Sequence, residues 1–235
     1  MSASDCWIDI AAEGGRFQAY LATPPTGSGP GILLIQEIFG VNAHIQAVAA
    51  QYAMDGYTVL APDVFWRQRP GVQLGYDGQD FARGIELMQG LDFPCALADL
   101  TAALAALRER PECKGPAAVM GYCMGGRLSF HVAAQTDVDA AVCYYGGGIP
   151  SVLDLAPQIR APILFHFAEQ DRFIPLEGVE AVRQAFGPRD NAMVEVYAGV
   201  DHGFNCWARG SYDQTAAALA RGRTLAFLAT NMPSS

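Results

Sequence analysis

The sequence predicts an α/β protein with a mostly parallel central sheet, helices on both faces and an antiparallel hairpin at the N-terminus. Short apolar runs alternate with helical segments along the 235 residues, and parallel strands need crossover connections of this kind. The run "GILLIQ" at 31–36 is almost continuously apolar, which is typical of a central strand covered on both faces. Two shorter runs before it are separated by Gly14 and Gly15, which favours a hairpin at an edge of the sheet.

The remaining elements follow from capping residues and apolar runs. Asn42 is expected to cap a helix that reaches Asp55, and Asp92 to cap a longer helix. Further strands are predicted at "YTVLAPD", "AAVMG", "AAVCYY", "APILFHF" and "AMVEVY", and further helices after "GYC", in "PLEGVEAVRQAF" and in "YDQTAAALARGRTLAFLA". The segment 65–90 is rich in glycine and glutamine and only weakly periodic, so its secondary structure is left open.

Composition and charge restrict the class of protein. Hydrophobic residues make up 51% of the chain and charged residues 17%, which describes a globular chain, and residues 1–235 are expected to form a single domain. The formal net charge of -9, without a cluster of Lys and Arg, argues against a nucleic-acid partner. No apolar run approaches the roughly 18 residues that span a bilayer, and the first residues lack the regions of a signal peptide. We therefore expect a cytoplasmic protein without a membrane partner.

The cysteines do not follow the spacing of a metal site or a disulfide framework. They lie at positions 6, 95, 113, 123, 143 and 206, without C-x-x-C pairs or histidines at ligand spacing. Free thiols are therefore expected, and neither a metal nor another cofactor is predicted.

One cysteine lies in a pattern with chemical meaning. In "AAVMGYCMGGRLSF" (117–130), Cys123 is flanked by Gly121 and Gly125 between a predicted strand and a predicted helix. This is the G-x-S-x-G nucleophile elbow of α/β-hydrolases with a thiol in place of the hydroxyl. The helix N-terminus that follows would favour the thiolate. The alternative is a buried core cysteine, since free cysteine is among the most buried residue types.

A nucleophile of this kind needs a histidine and a carboxylate later in the chain, in the order nucleophile, acid, histidine. Asp171 and His202 fit, because each follows a predicted strand and parallel strands bring their carboxyl ends to one edge of a sheet. Taken singly, an aspartate in an Asx turn and an exposed loop histidine are the simpler interpretations. Glu169 and Asp201 remain alternatives for the acid. The remaining histidines, His44, His131 and His166, fit the role of the base less well.

An oxyanion hole would combine two backbone N–H groups. In the elbow pattern, one belongs to the residue after the nucleophile, Met124, and the other to the loop after an earlier strand, where Ile38 lies. Glu37 comes directly after the apolar run at 31–36 and directly before Ile38. Its carboxylate would either face the same pocket or be solvated, and the residues alone leave this open.

Together, these motifs resemble the dienelactone hydrolase (carboxymethylenebutenolidase) family. The stretches that carry the resemblance, in the family's order and close to its spacing, are "QEIFGVN", "GYCMGG", "YYGGG", "FHFAEQDRFIP" and "DHGFN". The similarity extends from the first strand to Ala229. It implies an α/β-hydrolase fold and the hydrolysis of a lactone or small activated ester, as in aromatic compound degradation, by a monomer that acts on a small molecule.

The resemblance also implies roles for individual residues. It places the catalytic triad and the oxyanion donors at Cys123, His202, Asp171, Ile38 and Met124. Glu37 matches the family glutamate that binds the resting thiol and releases it when substrate arrives. Such a gate would protect the nucleophile from casual oxidation.

The chain departs from the family in its substrate-binding residues. The family holds the substrate carboxylate with an arginine four residues after the triad histidine, and Cys206 occupies that position here. The family's other arginine and a nearby tyrosine align with "YDGQDFARGIEL", which has Phe81 and Ile85 instead, although Arg83 is close.

These departures leave the substrate open. Arg83 or Arg209 is expected to take over the arginine's role, because the retained Glu37 and Tyr145 indicate a similar pocket. A second possibility keeps the same chemistry for a neutral ester or lactone. A third is a non-catalytic protein that uses the thiol for ligand binding or for a redox response.

Overall fold

The computed structural model of the chain describes residues 3–187 and 189–233. Its strands are β1 (Ser4–Ala12), β2 (Gly15–Thr23), β3 (Gly29–Ile35), β4 (Thr58–Pro62), β5 (Cys113–Tyr122), β6 (Ala140–Tyr144), β7 (Ile163–Ala168) and β8 (Ala192–Tyr197). They form a sheet in the order β1-β2-β4-β3-β5-β6-β7-β8. The pairs β1–β2 and β2–β4 are antiparallel, whereas β3–β4, β6–β7 and β7–β8 are parallel. The predicted mostly parallel sheet with its N-terminal hairpin is confirmed.

The α-helices lie between the strands where the sequence predicts them, with one addition. They are α1 (Ala43–Met54), α2 (Gly78–Gln89), α3 (Phe93–Glu109), α4 (Met124–Gln135), α5 (Leu176–Phe186) and α6 (Gln214–Asn231). The side chain of Asn42 accepts the N–H of Ile45 at 3.2 Å, and that of Asp92 accepts the N–H of Cys95 at 3.0 Å. Both predicted caps therefore satisfy N–H groups that the first turn of a helix leaves without a partner.

The contacts divide the described residues into two compact units, one up to Ala118 and one from Val119 to Pro233. The first contains β1 to β4 and α1 to α3, and the second contains α4 to α6 and β6 to β8. The prediction that residues 1–235 form a single domain stays a prediction.

The segment that the sequence left open contains tight turns followed by α2. Burial raises the pKa of the Asp63 carboxyl, although its hydrogen bonds act in the opposite direction. That carboxylate accepts the N–H groups of Phe65 and Gly71 at 3.0 and 2.7 Å and so orders the turns. In α2 only Gly84 and Leu87 are buried, so most of this helix lies at the surface.

No single helix among the described residues is long and apolar enough to span a bilayer. Taken together, α2 and α3 have the required length and composition, but they meet at a bend of 94°.

In the second unit, a glycine lets α4 lie directly against the end of β6. A Cβ on Gly126 would lie 2.6 Å from the carbonyl oxygen of Tyr144 and 3.1 Å from the Cα of Gly146. Atoms of a side chain do not approach backbone this closely, so a larger residue would push the start of α4 away from β6. The sequence "MGG" at the start of α4 thus sets where residue 123 lies relative to the neighbouring strand.

Candidate active site

Cys123 occupies a sharp turn between β5 and α4. Its backbone has φ 55° and ψ -117°, in a region that residues with a Cβ rarely adopt. Its N–H donates to the carbonyl oxygen of Tyr144 at 3.0 Å, and its side chain is half-buried. A Cβ on Gly121 would overlap the carbonyl of Gly125 and lie 2.7 Å from the Oγ of Ser129. A glycine at position 121 is therefore needed for this turn to form.

The position of Cys123 also affects its chemistry. The residue is the N-cap of α4, and its carbonyl accepts the N–H groups of Gly126 and Arg127 at 3.0 and 3.2 Å. The backbone dipoles at a helix N-terminus stabilise nearby negative charge. This end of α4 therefore favours an oxyanion that forms close to Cys123.

His202 links the thiol to an aspartate. Its Nδ1 lies 2.7 Å from Oδ2 of Asp171, and both side chains are buried. The other carboxylate oxygen of Asp171 accepts the N–H of Phe173 at 2.8 Å, which fixes the carboxylate. The imidazole also has a side-chain hydrogen bond with Cys123. Because Nδ1 faces Asp171, Nε2 is left for the sulfur.

The charges around His202 favour its protonated form. Burial on its own lowers the pKa of the imidazole, but Cys123 and Asp171 together outweigh this and raise the pKa of His202 to about 10. A histidine between two acidic groups gains more from their attraction than it loses by desolvation. The arrangement is that of a thiol beside an imidazole that is oriented by a carboxylate.

The two alternative carboxylates bind backbone groups instead. Glu169 is exposed and accepts the N–H of Gly199 at 2.8 Å. Asp201 is also exposed, and it accepts the backbone N–H of His202 at 2.6 Å. Among these three acids, Asp171 is the one whose carboxylate contacts the imidazole ring.

Aromatic rings surround the imidazole. The ring of Tyr145 is fully buried, with its centroid 5.0 Å from that of His202, and Phe204 packs against Tyr145 at 5.5 Å. Phe173 contacts the imidazole edge to face at 5.1 Å and is 54% exposed. Sequence reasoning identified Tyr145 and missed Phe173, for which the only signal was its position two residues after Asp171. These rings limit access of water to the imidazole.

The predicted substrate-binding residues lie in different environments. Arg209 is half-buried, and its Nη1 would lie 2.6 Å from a Cβ on Gly203, the residue that follows His202. Cys206 is fully buried in the same loop. In the first unit, the Arg83 side chain is 45% exposed and forms an ion pair with Glu86 at 2.8 Å.

Two further predicted residues, Glu37 and Ile38, follow β3 in the first unit. Both are buried. The side-chain amide of Gln36 donates to the carbonyl oxygen of Glu37 at 3.2 Å, and its oxygen accepts the N–H of Val64 at 3.2 Å. The side chain of Gln36 therefore fixes the carbonyl oxygen of the peptide group that joins Glu37 to Ile38. The roles predicted for these two residues stay predictions.

A strand-to-helix elbow followed by an aspartate–histidine pair, on a mostly parallel sheet, defines an α/β-hydrolase. The model of the dienelactone hydrolase family matches residues 17–232. The carboxymethylenebutenolidase of Pseudomonas putida is 36% identical over 218 residues, which cover 92% of each chain. The chain belongs to the dienelactone hydrolase family, which confirms the predicted family, its fold and its class of enzyme, a hydrolase of esters and lactones.

Solved structures agree with this classification. A crystal structure of a Klebsiella pneumoniae protein has a TM-score of 0.87 at 30% identity and covers 97% of this chain and 99% of its own. A dienelactone hydrolase-like promiscuous phosphotriesterase from metagenomic libraries has a TM-score of 0.85 at 25% identity and covers 99% of this chain and 100% of its own.

Proposed function

We propose that this protein hydrolyses a lactone or small activated ester through an acyl-thioester on Cys123. The observation that carries the proposal is the position of His202, which is hydrogen-bonded to Asp171 through Nδ1 and to the thiol of Cys123 on its other side. A nucleophile, a base and an orienting acid in this relation are the requirements for covalent acyl transfer.

Acylation begins when the sulfur of Cys123 attacks the substrate carbonyl carbon and the C=O electron pair moves onto oxygen. The N–H of Met124 at the start of α4 is one proposed donor to that oxyanion, and the N–H of Ile38 is the second. The oxyanion then collapses, the C–O bond to the alcohol breaks, and the imidazolium of His202 protonates the leaving oxygen. In a lactone, the freed alcohol remains attached to the acyl group.

Deacylation reverses these roles. The neutral imidazole of His202 takes a proton from water, the resulting hydroxide attacks the thioester carbonyl, and the C–S bond breaks. The acid leaves, and the thiolate–imidazolium pair forms again. Asp171 stays ionised throughout and holds the imidazole through Nδ1. For Glu37, the role of binding the resting thiol stays a prediction from the resemblance.

The covalent step is tested with p-nitrophenyl acetate. We expect a burst of p-nitrophenol equal to the enzyme concentration, sustained turnover after it, and one acetyl group on the peptide that contains Cys123 in mass spectra of quenched enzyme. Labelling of Cys123 without turnover would favour the non-catalytic thiol protein. Turnover without any acetylated cysteine would contradict the acyl-thioester.

Arg209 is the better supported partner for an anionic substrate. The relatives named carboxymethylenebutenolidase act, by that name, on a lactone with a carboxymethylene group, and a guanidinium binds carboxylate through two hydrogen bonds. Arg209 lies beside Gly203, next to His202, whereas Arg83 is exposed and already paired. We therefore expect Arg209→Ala to raise KM about 10-fold or more for an anionic lactone and to leave KM for a neutral ester of similar size nearly unchanged.

Arg83→Ala is the matched control, because it removes the same charge from an exposed position in the first unit. Equal effects of the two substitutions on the anionic lactone would contradict the assignment to Arg209. The second candidate function is hydrolysis of neutral esters. It would be favoured if Cys206→Arg lowered KM for the anionic lactone alone and Arg209→Ala left KM for both substrates unchanged. The uncharged, fully buried Cys206 is the observation that supports this candidate.

A further inference from the structure

The second unit contains a buried histidine that the proposed chemistry does not use. His166 lies in β7 and is fully buried. Its Nδ1 is 2.9 Å from the hydroxyl of Tyr197, and its Nε2 is 2.9 Å from the hydroxyl of Thr224. Burial, with the nearby charge of Arg223, lowers the pKa of His166 to about 3. The ring is therefore neutral, with one nitrogen that accepts a hydrogen bond and one that donates.

The hydrogen bonds around His166 link several side chains into one network. The guanidinium of Arg223 can only donate, and it has a side-chain hydrogen bond with Tyr197. In the tautomer with the proton on Nε2, the hydroxyl of Tyr197 donates to Nδ1 of His166 and Nε2–H donates to the oxygen of Thr224; in the other tautomer both directions reverse. That oxygen is 2.7 Å from the hydroxyl of Tyr144. A chain of hydrogen bonds thus leads from the exposed Arg223 to the buried Tyr144.

His166 also contacts the segment that holds the candidate catalytic groups. Its ring stacks on that of Tyr144 with centroids 4.3 Å apart, and its carbonyl oxygen accepts the N–H of Tyr145 at 2.7 Å. The carbonyl of Tyr144 accepts the N–H of Cys123 at 3.0 Å, and the ring of Tyr145 lies against His202 at 5.0 Å. One residue therefore separates His166 from each member of the thiol–imidazole pair: Tyr144 contacts Cys123, and Tyr145 contacts His202.

Backbone strain in this segment requires such support. Tyr145 has φ 35° and Cys123 has φ 55°, and residues with a Cβ keep such angles only where the surroundings fix them from several sides. Both residues are fixed through groups that His166 contacts. Because a displacement of about 1 Å in a reacting group can cost about 100-fold in rate, loss of this support would reach the chemistry.

We propose that neutral His166 is a positioning residue of this hydrolase. Its imidazole holds the ring of Tyr144, the residue whose carbonyl accepts the N–H of Cys123. Its backbone carbonyl accepts the N–H of Tyr145, whose ring lies against the His202 imidazole. The inference rests on the proposed function, because His166 affects turnover only if Cys123 and His202 carry the chemistry.

His166→Phe tests the proposal, since it keeps an aromatic ring against Tyr144 but removes both hydrogen bonds. We expect kcat to fall about 10- to 100-fold while KM changes less than about twofold, because the binding surface is unchanged. His166→Gln, whose amide can accept and donate, should recover part of the loss. Phe186→Leu is the matched control: its ring packs on Phe165 at 5.4 Å in the same core, so it lowers stability without touching the network.

A pH profile separates positioning from lost stability. A looser Cys123–His202 contact removes part of what raises the pKa of His202, so the alkaline limb of kcat/KM should move to lower pH in His166→Phe. In Phe186→Leu it should stay at the wild-type position. The proposal would be overturned if folded His166→Phe kept the wild-type kcat and the wild-type position of the alkaline limb. It would also be overturned if Phe186→Leu lost as much kcat as His166→Phe.

Two milder variants serve if His166→Phe does not fold. Tyr197→Phe and Thr224→Val each remove one hydrogen bond to the imidazole at nearly constant volume, and each should lower kcat about 3- to 10-fold with KM retained. Unchanged kcat in both overturns the proposal. Cys123→Ala, measured in parallel, distinguishes failure of the proposed function from failure of the role of His166. Full activity in Cys123→Ala refutes the proposed function itself. Loss of activity in Cys123→Ala, together with wild-type activity in Tyr197→Phe and Thr224→Val, refutes only the role of His166.

Discussion

Cys123→Ala is expected to lower turnover of lactones and activated esters by about a thousandfold or more, because no other group replaces the sulfur as nucleophile. His202→Ala should cost about as much, and the double variant should lose little more, since residues that act as a unit are not additive. The protein should stay folded, because Cys123 is only half-buried and its removal leaves a small gap. Steady-state kinetics together with thermal unfolding measure both effects.

Another thiol provides the control for this prediction. Cys6→Ala removes an exposed cysteine from β1 and should leave kcat, KM and the pH profile at wild-type values. Iodoacetamide should inactivate Cys6→Ala as fast as the wild type and should have nothing to inactivate in Cys123→Ala. Sustained turnover in Cys123→Ala would eliminate this residue as the nucleophile.

The elements that the sequence predicted well are those specified by neighbouring residues. A cap acts within three positions, as Asn42 and Asp92 do, and a buried strand such as β3 is a short apolar run. The strand-to-helix turn at Cys123 belongs to this group, because the space that it needs is provided by a glycine two residues before it, Gly121. Local sequence contains these requirements in full.

The features that the sequence missed depend on residues that are distant in the chain. The turns before α2 are ordered by one carboxylate, Asp63, that accepts an N–H eight residues away, and no local period reveals this. The contacts of His166 with Tyr197 and Thr224 join residues 31 and 58 positions apart. Sequence reasoning found His166 a poorer fit for the role of the base, but the partners that give it an orientation could be found only in three dimensions.

The choice among the acids shows the same limit. Glu169, Asp171 and Asp201 all follow strands, so strand-end placement alone left the orienting carboxylate open. What separates them is side-chain direction, since Glu169 turns back to Gly199 and Asp201 accepts its neighbour's backbone N–H. Differences of this kind arise from turn geometry rather than from residue type.

The pH dependence of catalysis tests the pair formed by Asp171 and His202. The pKa of His202 is raised to about 10 in the folded protein, against about 6.5 in an unfolded chain. The stabilisation from the charged imidazolium is therefore fully present below about pH 6.5 and is lost as the pH rises through about 10. Since in the proposed mechanism the imidazolium also protonates the leaving alcohol, kcat/KM should fall over the same upper range.

Asp171→Asn removes the carboxylate that orients His202 and supports its charge, so we expect kcat to fall by about 100- to 10,000-fold and the alkaline limb of kcat/KM to move to lower pH. Asp201→Asn removes an equal charge that contacts only the backbone of His202, and its alkaline limb should stay close to that of the wild type. Profiles from pH 6 to 11, with urea unfolding at the same pH values, measure both shifts. If the two variants moved the limb equally, net charge near the loop would set the pKa of His202, and the direct bond from Asp171 would lose its assigned role.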